Sequence, residues 1–293
     1  MSVRIAAAQY PVEALPRFDD YAAKLERWIR EAAGAGAQLL LFPEYAAMEL
    51  AGSFAPAVRA DLHAQLDALQ ALREPFIALH ARLAQALGVT IAAGSFPVRE
   101  HGRFHNRVHL FTPAGLAWQD KCMMTRFEHE TWGISPGGPL RVFETPGGRL
   151  GIATCYDIEF PGIAHALVRA GADILLAPSC TDTLAGYQRV RIGSRARALE
   201  NQCYVVQAPL VGQAPWSPAV DINIGRAGIF TPVDRGFPDD GVLAQGRLDE
   251  AGWVYADVQP EHLAAVRRDG QVLNHRDYDR QPAGPHVERL TLV

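Results

Sequence analysis

The chain has 293 residues, 48% hydrophobic and 20% charged, an ordinary globular composition. A net charge of −4 without a basic run gives nucleic-acid binding no compositional support, and no apolar stretch approaches the roughly 18 residues of a membrane span. Cys122, Cys155, Cys180 and Cys203 show neither CxxC spacing nor a disulfide framework, which suits a reducing cytoplasm.

The N-terminal MSVRIAAAQYPVEA lacks a long apolar core and reads as a first strand, 4–9, rather than a signal peptide. Further short apolar or alternating runs bounded by Gly, Pro or Asp predict strands at 38–43, 89–96, 108–112, 150–155, 173–177, 204–208, 228–231 and 253–258. Helical periodicity falls at 19–33, where Tyr21, Leu25, Trp28 and Ile29 share a stripe, and at 59–88, interrupted at Pro75. Two more helices are predicted at 161–170, opened by Pro161, and at 188–201. Strands alternate with helices, so the class is α/β. No linker or composition shift divides the chain, which predicts a single domain over 1–293. The polar tail, about 261–293, with its HRDYDRQPAGPH stretch, is expected to be irregular, either frayed or docked on a neighbouring subunit.

Cys155 closes the run Gly151-Ile152-Ala153-Thr154-Cys155 and precedes Tyr156-Asp157-Ile158-Glu159-Phe160-Pro161 and a helical pattern. A strand that delivers a thiol to a helix N-terminus presents a nucleophile, because the helix end favours the thiolate. A buried structural cysteine is the commoner fate of a single Cys. Glu44, in LLLFPEY, and Lys121, after Asp120, are charged residues just past apolar runs. Taken singly, each reads as well as an exposed strand-end charge. His129 and His165 do not complete a Cys–His dyad, because His165 falls a turn into the helix after the thiol and no papain-type segment surrounds Cys155. No metal-ligand spacing and no phosphate-binding glycine pattern occurs in the sequence.

Taken together, LLLFPEY, the DK of Asp120-Lys121 and GIATCYDIEFP resemble the nitrilase superfamily of carbon–nitrogen hydrolases. The resemblance extends over nearly the whole chain, from Ala8-Gln9 through Ala93-Gly94-Ser95 to ADILLAPS and RARALEN. It implies a four-layer αββα sandwich and a catalytic set of Glu44, Lys121 and Cys155. Cys155 would attack, Glu44 would serve as base, and Lys121 with the Tyr156 backbone N–H would hold the oxyanion, with no cofactor and no metal. A further glutamate in the loop after the lysine is implied, six positions before the Pro136-Gly137 pair; that position is Glu130, with Glu128 second. Glu128, Trp132 and Glu159 are pocket candidates.

Tyr156-Asp157 after the nucleophile resembles the amidase and carbamoylase branches, where true nitrilases usually carry Trp-Glu. The expected activity is therefore hydrolysis of a small amide or carbamoyl compound. Nitrile hydrolysis, an ammonia-supplying glutaminase unit and a non-catalytic scaffold are the alternatives. Glu159 stands where several dicarboxylate-monoamide amidases carry Arg; facing the pocket it would argue for a neutral or cationic amide over an acidic one, and it reads equally as an exposed or salt-bridged residue of the helix's first turn. The expected partners are the amide substrate, water and a second copy of the chain in a homodimer or higher assembly, in the cytoplasm, with no nucleic acid and no membrane.

Overall fold

A computed structural model of the protein describes residues 2–281 and 288–290. The strands of its first half are β1 (Val3–Pro11), β2 (Leu39–Leu41), β3 (Thr90–Glu100), β4 (Arg103–Thr112), β5 (Gly115–Asp120), β6 (Ile134–Ser135) and β7 (Val142–Thr145). Those of the second half are β8 (Gly148–Ile152), β9 (Ile174–Ser179), β10 (Tyr204–Gln213), β11 (Ile222–Asn223), β12 (Gly228–Phe230), β13 (Val242–Gln245) and β14 (Gly252–Val258). The α-helices are α1 (Phe18–Gly34), α2 (Pro56–Arg59), α3 (Leu62–Leu69), α4 (Arg73–Leu87), α5 (Pro161–Arg169), α6 (Leu184–Asn201), α7 (Pro260–Asp269) and α8 (Asn274–Asp277).

One sheet runs β5-β4-β3-β2-β1, with β14 antiparallel to the other side of β1. A second runs β7-β8-β9-β10 and continues through β12 to β13. They join where β1 and β10 lie parallel, at Tyr10↔Leu210 and Pro11↔Val211. Side chains alternate along a strand, so each central strand serves two layers. Ile5 and Ala7 of β1, Leu39 and Leu41 of β2, Ile174 and Leu176 of β9, and Tyr204 and Val206 of β10 meet in one apolar layer between the sheets. The alternate residues Ala6, Ala8 and Leu40 face outward with Leu25, Ile29 and Leu83 of α1 and α4. On the far side Leu175 and Val205 pack with Leu167, Val190 and Ala198 of α5 and α6. The order helix, sheet, sheet, helix is the four-layer αββα sandwich that the resemblance implied.

Two expectations are corrected. The long helical region breaks at 69–73 rather than at Pro75, which sits in the first turn of α4, where its missing N–H leaves no intrahelical bond unmade. The tail is ordered as α7, α8 and a 3₁₀ turn over Tyr278–Arg280, packed on its own chain. Leu263 is fully buried, Arg267 reaches Asp173 at 2.8 Å, and the Tyr278 ring stacks on His165 with centroids 3.4 Å apart. The rest of the HRDYDRQPAGPH stretch, 282–286, lies outside the described residues. Strands β5, β6, β7, β11 and β13 were not anticipated; β6 and β11 are two residues long, β5 is exposed over much of its length and β13 is nowhere fully buried, so their hydrophobic signal is weak.

Two buried histidines meet between α4 and β4, His80 from the helix and His109 from the strand. His80 stacks on Phe111, its Nδ1 meets the Phe76 carbonyl at 2.8 Å, and its Nε2 has no partner. Burial lowers its pKa to about 4, against the Phe76 hydrogen bond, and burial with the charge of Arg107 lowers that of His109 to about 3. Between pH 6.5 and 4 the unfolded chain therefore binds a proton at His80 that the folded chain refuses. The stability this carries is complete above pH 6.5 and is lost as pH falls towards 4, in total about 3 kcal/mol. We expect His80→Leu to flatten the fall in stability across this window relative to the parent, measured by urea unfolding at each pH. Parallel curves for parent and variant would contradict this placement of His80.

Candidate active site

The candidate residues stand beyond the carboxyl ends of strands from both sheets. β2 ends at Leu41, and Phe42-Pro43 carries the chain to Glu44. Tyr45 then adopts a left-handed φ of 57°, and Cys155 one of 49°. Non-glycine residues hold such conformations only where their surroundings over-determine them. At Glu44 the surroundings are a bulge in β3: the Ser95 N–H donates to the Pro43 carbonyl at 3.2 Å and Ser95 Oγ accepts the Tyr45 N–H at 2.7 Å. Gly94 makes this approach possible, because a Cβ there would lie 2.1 Å from the Pro43 oxygen.

Lys121 leaves the end of β5. Its N–H donates to the Asn106 carbonyl at 2.9 Å and its carbonyl accepts the Gly137 N–H at 2.8 Å. Asp120 beside it is gripped by Arg107 through two bonds of 2.6 and 2.9 Å. Cys155 opens a 3₁₀ turn, Cys155–Glu159, two residues after β8. The Asp157 carboxylate accepts the N–H groups of Cys122 at 3.1 Å and Met123 at 2.7 Å, fastening the Cys155 turn to the lysine loop.

Lys121 Nζ lies 2.8 Å from Glu44 Oε1 and 2.6 Å from Glu128 Oε2, with all three side chains buried. Asn106 Nδ2 bridges the same two carboxylates, at 2.8 Å to Glu44 and 3.1 Å to Glu128. Glu44 Oε2 also accepts the Cys180 N–H at 3.0 Å. Glu128 is held further by the Tyr45 hydroxyl at 2.6 Å and by the N–H and hydroxyl of Thr125, each at 2.9 Å. Cys155 Sγ lies 3.7 Å from the Cys180 carbonyl.

Burial raises the Glu44 pKa to about 7; Lys121 opposes the shift and the charge of Glu128 adds to it. Burial also works to raise Glu128, but Lys121 and the hydrogen bonds from Tyr45 and Thr125 prevail and leave it below the ordinary value. The Lys121 ammonium is disfavoured by burial, yet the two carboxylates hold its pKa well above the usual range. Burial, then the charge of Glu44, pushes the Cys155 thiol well above its ordinary pKa, with Lys121 acting the other way. This direction is opposite to the lowering expected from the helix end. Burial favours the protonated form of this thiol, and the carboxyl of Glu44, held near 7, stands in the same buried cluster.

The second glutamate is corrected as well. Glu130 is exposed, with its carboxylate on the Arg126 guanidinium at 2.9 Å. Glu128 and Trp132, four residues apart, share the buried face of this helical turn, and Glu130 falls on the opposite one. Trp132 packs its ring 4.7 Å from that of Tyr45 and donates Nε1–H to the Leu62 carbonyl. Together with Tyr156 and Glu159 it lines a cavity of about 580 Å³ that contains Glu44, Lys121 and Cys155. Glu159 faces Arg189 at 3.8 Å. Sequence reasoning missed Asn106, Tyr45, Thr125 and the Cys180 N–H as partners of the carboxylates. Asn106 sits just before the predicted strand 108–112, and nothing local distinguishes it from an ordinary strand amide. Among the described residues no group of three or more His, Cys, Asp and Glu side chains could hold a metal ion, and no helix is long and apolar enough to cross a membrane.

The family model for carbon–nitrogen hydrolases matches residues 4–268. A probable hydrolase of Bacillus subtilis, YhcX, is 36% identical over 279 residues, covering 95% of this chain, which spans only 54% of that longer protein. The omega-amidase NIT2 of Danio rerio is 26% identical over 94% of this chain and 95% of its own length. In fold, an amidase from Nesterenkonia sp. superposes with a TM-score of 0.66 at 22% identity, covering 94% of this chain and 96% of that one. The chain belongs to the carbon–nitrogen hydrolase family, a class of hydrolytic enzymes.

Glu128→Gln is expected to lower turnover of any hydrolysed substrate by about tenfold or more, because it removes the charged hydrogen bond to buried Lys121, of a type worth about 1.5–3 kcal/mol. It should also move the acidic limb of the pH profile downwards, because Glu128 no longer raises the pKa of Glu44. Glu130→Gln should stay within about twofold of the parent, as surface substitutions do. The opposite ranking of the two variants in steady-state rates would refute the placement.

Proposed function

We propose that the protein hydrolyses a small amide through a thioester on Cys155. The observation that carries this reading is a carboxyl of pKa about 7 buried beside both a fixed ammonium and a buried, protonated thiol. Cys155 Sγ attacks the carbonyl carbon while Glu44 takes the thiol proton. The oxyanion falls to Lys121 Nζ and the Tyr156 N–H, a type of stabilisation worth about 3–4 kcal/mol per donor. Glu44 returns its proton to the leaving nitrogen as the C–N bond breaks, and ammonia or an amine departs. Water then attacks the thioester, Glu44 accepts its proton, and the thiol recovers it as the acid leaves. Glu128 neutralises Lys121 throughout, so the base can change charge twice without leaving the ammonium unpaired.

Amide hydrolysis is favoured over nitrile hydrolysis by Tyr156-Asp157 and by relatives named as amidases. Glu159, only partly exposed at the cavity wall, carries a negative charge that the exposed Arg189 at 3.8 Å offsets only in part, and this favours a neutral or cationic substrate over an acidic one.

An ammonia-release screen over neutral amides, a cationic amide, succinamate, free glutamine, carbamoyl compounds and nitriles tests both parts. We expect neutral or cationic amides to be turned over in preference to succinamate, with Glu159→Gln narrowing the difference. The ratio kcat/KM should rise with pH through about 7 as Glu44 loses its proton. Cys155→Ala should abolish turnover, and intact mass should show the acyl group on Cys155 of the parent. Full activity in Cys155→Ala would end the thioester reading.

A further inference from the structure

The catalytic cavity does not end at its own far wall. Pro218, Asp221 and Ile222 line it, and the same three residues line a second cavity of about 660 Å³ on their other side. The second cavity is otherwise bounded by Pro56, Arg59 and Ala60 at α2 and by Gln213, Pro215 and Trp216. Three prolines, Trp216 and Ile222 share its surface with Arg59, Gln213 and Asp221, and Ile222 leaves 45% of its area open. The Trp216 indole packs partly against the outer apolar layer, which leaves the remainder of the ring on the cavity side.

The groove is built rather than incidental. Gln65 of α3, fully buried, donates to the Arg59 carbonyl on one wall and accepts the Ser217 hydroxyl at 2.9 Å on the other. The 214–221 segment closes on itself through Ala214 N–H to the Asp221 carbonyl at 2.8 Å and Ser217 N–H to the Ala214 carbonyl at 2.9 Å. Trp132 of the catalytic cavity bonds the first residue of the same α3, so one helix sets the spacing of the two spaces. A pre-formed, partly apolar cavity that shares Pro218, Asp221 and Ile222 with the catalytic one suits a ligand that covers both, because little ordering remains to oppose binding.

We propose that the second cavity is a subsite of the catalytic pocket. Its occupant is an apolar tail, alkyl or aryl, on the amide substrate, long enough to pass the Pro218–Ile222 wall and lie against Trp216. The inference rests on the amide-hydrolase reading above. The chemistry is the same whether the tail belongs to the acyl part or to the amine part, and separate arms of the experiment distinguish them.

One arm measures kcat/KM for primary amides of straight-chain and ω-phenyl acids of increasing length; the other does so for acetamides bearing N-alkyl chains of increasing length. The proposal expects one arm to rise by about fourfold per methylene once the chain reaches the wall, the transfer value of a buried CH₂. Trp216→Ala should cut the ratio of long-chain to short-chain kcat/KM at least tenfold, and Trp216→Phe should restore most of it, which separates a binding surface from a folding defect. Short amides turned over without any gain on lengthening in either arm would overturn the subsite and leave the amide reading standing. So would an unchanged ratio in Trp216→Ala. If no amide in either arm acylates Cys155 by intact mass, the amide reading fails and the subsite falls with it.

Discussion

Everything at this centre follows from one buried cation facing two buried carboxylates. An ammonium removed from water costs several kcal/mol unless it is paired, so Lys121 requires a negative partner within contact. It has two, and only one of them is needed for neutrality. The other hydrogen bonds decide which carboxylate keeps the charge. Glu128 gathers the Tyr45 hydroxyl and both donors of Thr125 besides Lys121 and Asn106, whereas Glu44 has Lys121, Asn106 and one backbone N–H. The better-solvated carboxylate stays ionised, and the poorer one is left to exchange a proton near neutrality. The two titrate as a coupled pair, and the division of labour comes from the unequal donor sets, not from the residue type.

The fold keeps these groups together. Glu44 and Lys121 hang from one sheet, Cys155 and Cys180 from the other, and the apolar layer between the sheets fixes their separation. Local constraints then aim the side chains: the bulge and Gly94 beneath Glu44, the Arg107–Asp120 pair beside Lys121, and the Asp157 carboxylate that ties the cysteine turn to the lysine loop. Left-handed backbone at Tyr45 and at Cys155 is held in place by these contacts. The centre is pre-organised by covalent neighbours and by packing, as electrostatic catalysis requires.

Much of this was legible in the sequence, for identifiable reasons. Buried strands such as 173–177 and 204–208 announce themselves because both faces are apolar, and α5 announces itself through Pro161 and its stripe. Glu44, Lys121 and Cys155 were legible because each follows a buried strand or motif in a recognisable order. Glu128 was not separated from Glu130, because the decision depends on which face of a six-residue helical turn is buried, and periodicity over so short a turn is weak. Asn106 was invisible, since its role arises from two carboxylates distant in sequence converging on one amide. The direction of the Cys155 pKa shift was misread for a related reason. A helix terminus can be read from sequence, but the depth of burial that outweighs it cannot.

The unequal ionisation of the two carboxylates is the claim on which the rest depends. It can be measured without substrate by following the glutamate side-chain carbons of ¹³C-labelled protein through a pH titration, with Glu44→Gln and Glu128→Gln used to assign the signals. The account predicts one buried glutamate titrating at about 7, absent in Glu44→Gln and shifted downwards in Glu128→Gln. Both carboxylates ionising together below the ordinary glutamate value would contradict it.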